Sequence, residues 1–269
     1  THYNNRYHRK ILVVDGRVAF TGGINLADEY INRRRLHGHW KDTAVMLSGE
    51  AVRGFTLMFL QMWNITERQP EDYAKYLTEK QPGFSRKDGY IIPYGDSPFD
   101  HENVGEEVYF HILNHAKKYV HIMTPYLILD SELELALTYA AQRGVDVRLI
   151  LPGIPDKTVP YALAFTHYAA LLDAGVKIGE YTPGFVHAKV FVCDDMEAVV
   201  GTINLDYRSL YHHFECAVYM YNATCIPQIQ ADFADTWDKC QMISRESMKQ
   251  EKLSRRLLGP LVKPIAPLM

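Results

Sequence analysis

The sequence predicts an α/β sandwich built from one structural unit that occurs twice, with the first unit truncated at its N-terminus. Three observations support this expectation. Strands and helices alternate between Tyr90 and Glu180, which is typical of a largely parallel or mixed sheet covered by helices. A pattern of histidine, lysine, aspartate, glycine and asparagine begins at His8 and again at His187. The alternating series precedes only the second occurrence of this pattern.

The composition is that of a globular protein with a sizeable core. Of the 269 residues, 47% are hydrophobic and 23% are charged, and the formal net charge is -3. This charge balance argues against a protein that holds nucleic acid by bulk electrostatics, so we expect no nucleic-acid partner. The cysteines show neither a C-x-x-C pair nor a zinc-like spacing, which indicates free thiols.

The first copy of the unit is expected to contain a hairpin, one further strand and a helix. The pair Asp15-Gly16 is a hairpin turn signal between two short apolar runs. Apolar residues then recur at helical spacing up to Thr66. The predicted strands are residues 11–14, 18–21 and 43–47, and the predicted helix is residues 51–66.

The second copy is expected to combine the alternating series with an equivalent hairpin. Ser131 and Glu134 have the spacing of a capping box, which predicts a helix N-terminus. The predicted strands are residues 90–93, 120–124, 145–151, 176–180, 190–193, 198–201 and 216–221. The predicted helices are residues 104–118, 131–143 and 159–174. We divide the chain into a first domain (1–67), a polar linker (68–88), a second domain (89–243) and a basic, apolar tail (244–269).

The repeated pattern reads H-x-K-x4-D-x6-G-x-x-N in both copies, with identical spacing. Its members are His8, Lys10, Asp15, Gly22 and Asn25 in the first copy, and His187, Lys189, Asp194, Gly201 and Asn204 in the second. Further along the chain, Asp42 and Glu215 occupy equivalent positions before an apolar strand. Packing alone gives no reason to repeat histidine, lysine and asparagine together, so the duplication indicates a functional site.

The repeated residue types suit phosphodiester chemistry. A histidine and a lysine two positions apart on a strand share one face, and the hairpin can bring the asparagine back beside them. In two facing copies, the lysines and asparagines would hold the non-bridging oxygens, while one histidine attacks phosphorus and the other protonates the leaving alcohol. Asp42 and Glu215 can bind the far nitrogen of the histidines. This chemistry needs no metal or other cofactor, and we expect the motif aspartates and glycines to be structural.

The duplicated motif resembles the HKD signature of the phospholipase D superfamily, and within it the chain is similar to bacterial cardiolipin synthases. Further matching segments are Thr124-Pro-Tyr126, residues 141–146 and residues 201–209. The resemblance implies a phospholipase D-like α/β/α sandwich with a pseudo-two-fold repeat. It also implies a two-step transfer, without metal, through a phosphohistidine intermediate.

In that reaction, as the resemblance implies, two phosphatidylglycerol molecules are condensed to cardiolipin and glycerol, with His8 as nucleophile and His187 as general acid. Two alternatives stay open. Water can replace the second phosphatidylglycerol, which would make the protein a phosphodiesterase of phospholipid or, with less support, of nucleic acid. The chain can also be an inactive fragment, because such synthases carry N-terminal membrane helices and a first half-domain that are absent before His8.

A basic cluster follows the first motif. Arg33, Arg34 and Arg35 lie together before Asp42, and their charge is as consistent with an ordinary solvated loop as with contact to anionic lipid. We take these arginines and Tyr126 as candidate substrate-binding residues.

The tail mixes basic residues with leucines and is interrupted by prolines. It places the basic residues Lys252, Arg255, Arg256 and Lys263 among leucines. This composition is as typical of a segment that lies on an anionic membrane as of a surface tail. We expect a protein of the bacterial cell membrane that acts at its cytoplasmic face and is anchored through helices outside this sequence. Formation of a homo-oligomer is left open.

Overall fold

The computed structural model describes residues 5–77 and 89–268. Residues 78–88 of the predicted linker lie outside the described residues, and Tyr73–Lys75 in the rest of it forms a 3-10 turn. The strands are β1 (Arg6–Tyr7), β2 (Ile11–Val14), β3 (Val18–Gly22), β4 (His39–Lys41), β5 (Ala44–Ser48), β6 (Tyr90–Asp96), β7 (Tyr119–Met123), β8 (Asp146–Pro152), β9 (Lys177–Tyr181), β10 (Gly184–Val186), β11 (Val190–Cys193), β12 (Glu197–Gly201), β13 (His213–Tyr221) and β14 (Cys240–Met242). The α-helices are α1 (Val52–Thr66), α2 (Val104–His115), α3 (Ser131–Gln142), α4 (Thr158–Asp173), α5 (Ile226–Trp237), α6 (Arg245–Gln250) and α7 (Leu253–Val262).

A nine-stranded mixed sheet forms the centre of the molecule. Its order is β1-β13-β12-β11-β7-β8-β9-β14, and β6 also pairs with β13. Strands β7, β8 and β9 are parallel because helices α3 and α4 connect them, whereas β11, β12 and β13 are antiparallel. The sheet is therefore of the mixed type that the alternating sequence predicts.

Alternate residues of β11 belong to two different hydrophobic clusters, so both faces of this sheet are covered. On one face, helices α2, α3 and α4 contribute Tyr109, Leu133 and Tyr168. On the other face, α5 contributes Phe233, and the first copy contributes buried residues that include Phe55 of α1. The resulting three layers confirm the expected α/β/α sandwich.

The hairpin and third strand of the first copy form a separate antiparallel sheet in the order β2-β3-β5. It is the equivalent of β11-β12-β13 in the second copy. There, Phe191 of β11 stacks on Tyr109 of α2 with ring centroids 4.0 Å apart. At the equivalent place in the first copy, Leu12, Phe20 and Met46 form a cross-strand row that is exposed to solvent. Our division of the chain into two domains stays a prediction.

Two helix ends differ from the prediction, one in its capping residue and one in its position, each because a carboxylate accepts hydrogen bonds from backbone N–H groups. The side chain of Asp130 accepts a hydrogen bond from Leu133 N at 2.8 Å, so Asp130 and not Ser131 caps α3. Glu134, the other half of the predicted capping box, instead binds His167. Helix α2 ends at His115, earlier than predicted, and the backbone N–H groups that follow point to Asp194.

The tail is a folded part of the molecule and not a loose extension. Helix α7 packs on α4, and a 3-10 segment, Lys263–Leu268, follows it. Arg255, which we expected among the basic surface residues, is buried, and its guanidinium lies 2.7 Å from Glu180. Burial of this arginine is possible because the carboxylate neutralises it and an aromatic ring, Tyr161, lies 3.6 Å from its guanidinium carbon.

Candidate active site

Two short parallel strand pairs join the copies and bring each histidine beside the carboxylate of the other copy. Strand β1 pairs with the start of β13, and His8 follows β1 directly, with its N–H 2.9 Å from Phe214 O. Strand β10 pairs with β4, and His187 follows β10 in the same way, with its N–H 2.7 Å from Lys41 O. The residues that come next on the partner strands are Glu215 and Asp42. The backbone register thus sets a crosswise arrangement.

The side chains complete this crosswise arrangement. Nδ1 of His8 lies 2.8 Å from a carboxylate oxygen of Glu215, and Nδ1 of His187 lies 2.8 Å from Asp42. Since each carboxylate accepts at Nδ1, each ring keeps Nε2 for chemistry. Within residues 5–77 and 89–268, no hydrogen bond engages Nε2 of either ring.

Both carboxylates are held in the charged form at neutral pH. Burial raises the pKa of Glu215, but the hydrogen bond from His8 and the nearby His213, whose Nδ1 lies 3.4 Å from the carboxylate, outweigh this effect and lower the pKa to about 2. Burial likewise opposes ionisation of Asp42, but the hydrogen bond from His187 and the charge of Lys189 bring its pKa below the usual value. Each histidine is therefore oriented by a fixed negative charge at its Nδ1.

The two motif lysines supply positive charge that is unusually deep in the protein. Lys10 Nζ donates to His8 O at 2.7 Å, and Lys189 Nζ donates to His187 O. Burial lowers the pKa of Lys10 to about 8 and that of Lys189 to about 7, and the repulsion between the two ammonium groups adds to the shift of Lys189. An anion bound between them would offset this repulsion and keep both charged.

The two histidines have different surroundings. The side chain of His187 is 9% exposed and lies against Trp40 and Tyr30, each with its ring centroid 5.3 Å from the imidazole. Burial and the charge of Lys189 lower the pKa of His187 to about 4, although Asp42 opposes the shift. The side chain of His8 is 26% exposed and packs against His213 at 5.5 Å. His187 is neutral at pH 7.

The two motif asparagines also differ in burial and in hydrogen bonding. Asn25 is half-buried, and its Nδ2 donates to Tyr30 Oη at 2.5 Å, so it reaches the His187 side through a tyrosine. Asn204 is buried, and its Oδ1 has no hydrogen-bond partner among the described residues. Neither asparagine hydrogen-bonds to a histidine or lysine of its own motif in that part of the chain.

Both motif glycines and one of the two motif aspartates have a structural role in the backbone. A Cβ on Gly22 would meet Thr43 O at 2.3 Å, and one on Gly201 would meet the Ala217 Cβ at 2.3 Å. Asp194 accepts hydrogen bonds from three successive backbone N–H groups, those of residues 117–119. Asp15 has the same positive φ as Asp194 but is exposed, and within the described residues it accepts no hydrogen bond.

The candidate substrate-binding residues lie outside this centre. Arg33, Arg34 and Arg35 are exposed, in a loop between β3 and β4. Tyr126 Oη donates to Asp156 at 2.6 Å, and burial and that carboxylate raise the pKa of the phenol. Tyr126 nonetheless lies on the His187 side, with its ring 6.4 Å from Phe185.

Several residues of the centre were missed by sequence reasoning. Trp40 and His213 occupy equivalent positions, two before Asp42 and Glu215, so the alignment of the copies carried a signal for both. Thr202 donates to Glu215, and nothing in its residue type indicated this. Nδ1 or Nε2 of His8 and His213 and a carboxylate oxygen of Glu215 lie within 4.8 Å of one another, a spacing that would suit a metal ion. Because the same Glu215 already holds His8, a metal there would compete with the crosswise arrangement.

Known proteins resemble this chain in sequence and in fold. A family model described as the PLD-like domain of cardiolipin synthase matches residues 109–237. Cardiolipin synthase 2 of Bacillus cereus is 35% identical over 266 residues, which are 99% of this chain and 52% of that protein. Over these residues the chain is similar to members of the phospholipase D superfamily. An uncharacterized protein of Streptococcus mutans is 63% identical over the whole chain, which covers 58% of it.

Solved phospholipase D structures agree with the fold at low sequence identity. Phosphatidylserine synthase of Haemophilus influenzae superposes with a TM-score of 0.70 at 12% identity, over 100% of this chain and 70% of that one. The phospholipase D family member Nuc of Salmonella typhimurium gives 0.50 at 17% identity, over 57% of this chain and 97% of that one. The chain spans about half the length of the curated relatives it matches. None of the helices in its described residues combines the length and the apolar character of a membrane span.

Proposed function

We propose that this chain carries the reaction centre of a phosphatidyl transferase that makes cardiolipin and glycerol from two phosphatidylglycerol molecules. The observation that supports it is the crosswise arrangement: His8 and His187 each present a free Nε2 while a charged carboxylate holds Nδ1. The similarity to the B. cereus cardiolipin synthase supports the lipid substrate. The excess of acidic over basic residues argues against a nucleic-acid substrate.

The reaction would proceed in two displacements at phosphorus. In the first, Nε2 of one histidine forms a bond to phosphorus, and the bond to the glycerol oxygen breaks as the other histidine gives that oxygen a proton. In the second, the histidine that lost its proton takes one from a hydroxyl of the second phosphatidylglycerol. That oxygen attacks phosphorus and releases the first histidine. Lys10 and Lys189 would offset the charge on the non-bridging oxygens.

The resemblance to the family supports His8 as the nucleophile and His187 as the acid. His8 is the more exposed of the two and so the easier for a lipid phosphate to reach. One observation favours the opposite order: the pKa of His187 is lowered to about 4, and a general acid must carry a proton. His187 would act as the acid only after a bound phosphate offsets Lys10 and Lys189 and raises this pKa.

Labelled phosphatidylglycerol distinguishes the proposed transfer from its alternatives. Formation of labelled cardiolipin with release of glycerol supports the transferase. Phosphatidic acid without cardiolipin would identify a phosphodiesterase that uses water. Because the chain spans about half of its curated relatives, its activity in isolation is part of the proposal. The variants H8A and H187A, tested for folding by circular dichroism, serve as inactive controls.

A further inference from the structure

The tail presents a fixed outward surface because its inner side is firmly held. Gly259 of α7 lies against α4 so closely that a Cβ there would meet Ala162 O at 2.3 Å. Arg255 is buried in its ion pair with Glu180 and also lies over the ring of Phe165, 4.7 Å from its centroid. Ala266 packs against Ile128. The opposite side of the tail is therefore held in a fixed orientation, facing away from α4.

An apolar stripe runs along that outward side. Its members are Leu253, Leu257, Leu261, Ile265 and Leu268, which are 52% to 77% exposed. Their spacing of four, four, four and three residues keeps them on one side through α7 and the 3-10 segment. Three exposed basic residues flank the stripe: Lys252, Arg256 and Lys263. The sequence from Lys252 to Leu268 contains no acidic residue. We call this surface the tail face.

The tail face lies near a cavity whose lining includes Tyr126, a residue on the His187 side of the candidate active site. Pro267 O accepts a hydrogen bond from Nε2 of His212 at 3.0 Å, and His212 is adjacent to His213 of the site. Ile128, which packs against Ala266, also lines a cavity of about 490 Å³. Asp206, two residues after Asn204 of the second motif, lines the same cavity.

We propose that the tail face docks on the surface of an anionic phospholipid bilayer. The leucines would enter the interfacial region while Lys252, Arg256 and Lys263 contact lipid phosphates. This placement rests on the proposed function, since it would bring the cavity beside the headgroups of the substrate. A second copy of the chain is the poorer occupant, because a symmetric contact would place the basic residues of the two faces opposite each other.

Vesicle flotation tests the proposal without turnover. The whole chain is mixed with vesicles of phosphatidylcholine alone or of equal parts phosphatidylcholine and phosphatidylglycerol. We expect binding to the anionic vesicles only, weakened by salt. The pair L257S/L261S and the pair R256Q/K263Q should each weaken this binding by about tenfold or more. The matched control L135S/R17Q removes an exposed leucine and an exposed arginine elsewhere and should bind as the unchanged chain does.

Each outcome bears on the proposal. Thermal unfolding and circular dichroism are measured first. We expect every variant to be folded, because the substituted positions are exposed. The docking proposal would be overturned if the tail variants and the control bound anionic vesicles equally, or if the unchanged chain did not bind them. Loss of a dimer in the tail variants, measured by analytical ultracentrifugation, would overturn it too, since the occupant would then be a second copy. H187A should still bind, so failure of the proposed chemistry is seen separately from failure of docking.

Discussion

Glu215 of the second copy holds Nδ1 of His8 of the first copy at 2.8 Å, across the boundary between the copies. The reciprocal contact joins Asp42 to His187 at the same distance. Neither histidine is paired with the acid of its own copy. The acids are fully or almost fully buried, with side chains 0% and 3% exposed, so water cannot replace them.

Removing either negative charge should impair the reaction without unfolding the protein. We expect E215Q and D42N each to lower the rate of cardiolipin formation by about a hundredfold or more, because the histidine loses the charged partner that orients its ring. The measurement is turnover of labelled phosphatidylglycerol at saturating substrate. D15N alters an exposed aspartate of the same motif and should retain the unchanged rate. Similar losses of rate in E215Q, D42N and D15N would contradict a specific role of Glu215 and Asp42 beside the histidines.

The two motif aspartates should differ in their effect on stability. Asp194 accepts three backbone hydrogen bonds that end α2 and begin β7, whereas Asp15 accepts none within the described residues. We expect D194A to lower the free energy of unfolding by about 1–3 kcal/mol. D15A should change it by less than about 0.5 kcal/mol. Urea denaturation followed by tryptophan fluorescence measures the free energy of unfolding of both variants. Equal losses in D194A and D15A would contradict a stabilising role for the hydrogen bonds of Asp194.

Anion affinity should fall as pH rises. The pKa values of Lys10 and Lys189 are lowered to about 8 and about 7, so both lysines lose protons as the pH approaches 9. A bound anion favours the charged lysines, hence binding takes up protons in this range. We expect sulfate, whose own charge is constant here, to bind about tenfold or more weakly at pH 9 than at pH 6.

Calorimetry in buffers of different ionisation enthalpy would count the protons taken up. K189Q should bind sulfate weakly and with a flatter pH dependence, while K75Q, at an exposed lysine of the 3-10 turn, should match the unchanged chain. Affinity that does not depend on pH would show that the lysines stay charged throughout.

The roles of the histidines can be separated with a leaving group that needs no proton. A nitrophenyl phosphodiester leaves as its anion, so the general acid becomes dispensable while the nucleophile does not. With His8 as nucleophile, H187A should still release nitrophenol in a burst and become phosphorylated, and H8A should do neither. Mass spectrometry of the acid-quenched or alkali-quenched protein locates the phosphorus. The reverse result would assign the attack to His187, in line with its lowered pKa.

Local patterns predicted most of the secondary structure, and the repeat singled out histidines and carboxylates that the structure brings together. The hairpin β2-β3 was expected at residues 11–14 and 18–21 and occurs at Ile11–Val14 and Val18–Gly22, because turn chemistry and short apolar runs specify a hairpin locally. The repeat identified both histidines, both lysines and both acids. Each of these inferences depends on neighbours in sequence or on equal spacing.

What the sequence could not show depends on distant contacts. The crosswise arrangement follows from β1 and β10, which contain two and three residues and carry no periodicity that would predict their partners. Arg255 was expected on the surface because its partner Glu180 lies far away in the chain. Ser131 and Glu134 match a capping box, but the carboxylate is drawn to His167, and Asp130 caps the helix instead.

Because of the crosswise arrangement, the geometry at both histidines depends on how rigidly the two copies are held against each other. Thr21 and Cys216, which approach to 3.6 Å, lie at the contact between the copies. A small rotation of one copy against the other would draw both acids away from both histidines together, even if every catalytic side chain were intact. Substitutions at this contact between the copies would therefore weaken both histidine–carboxylate pairs together and, with them, both steps of the proposed reaction.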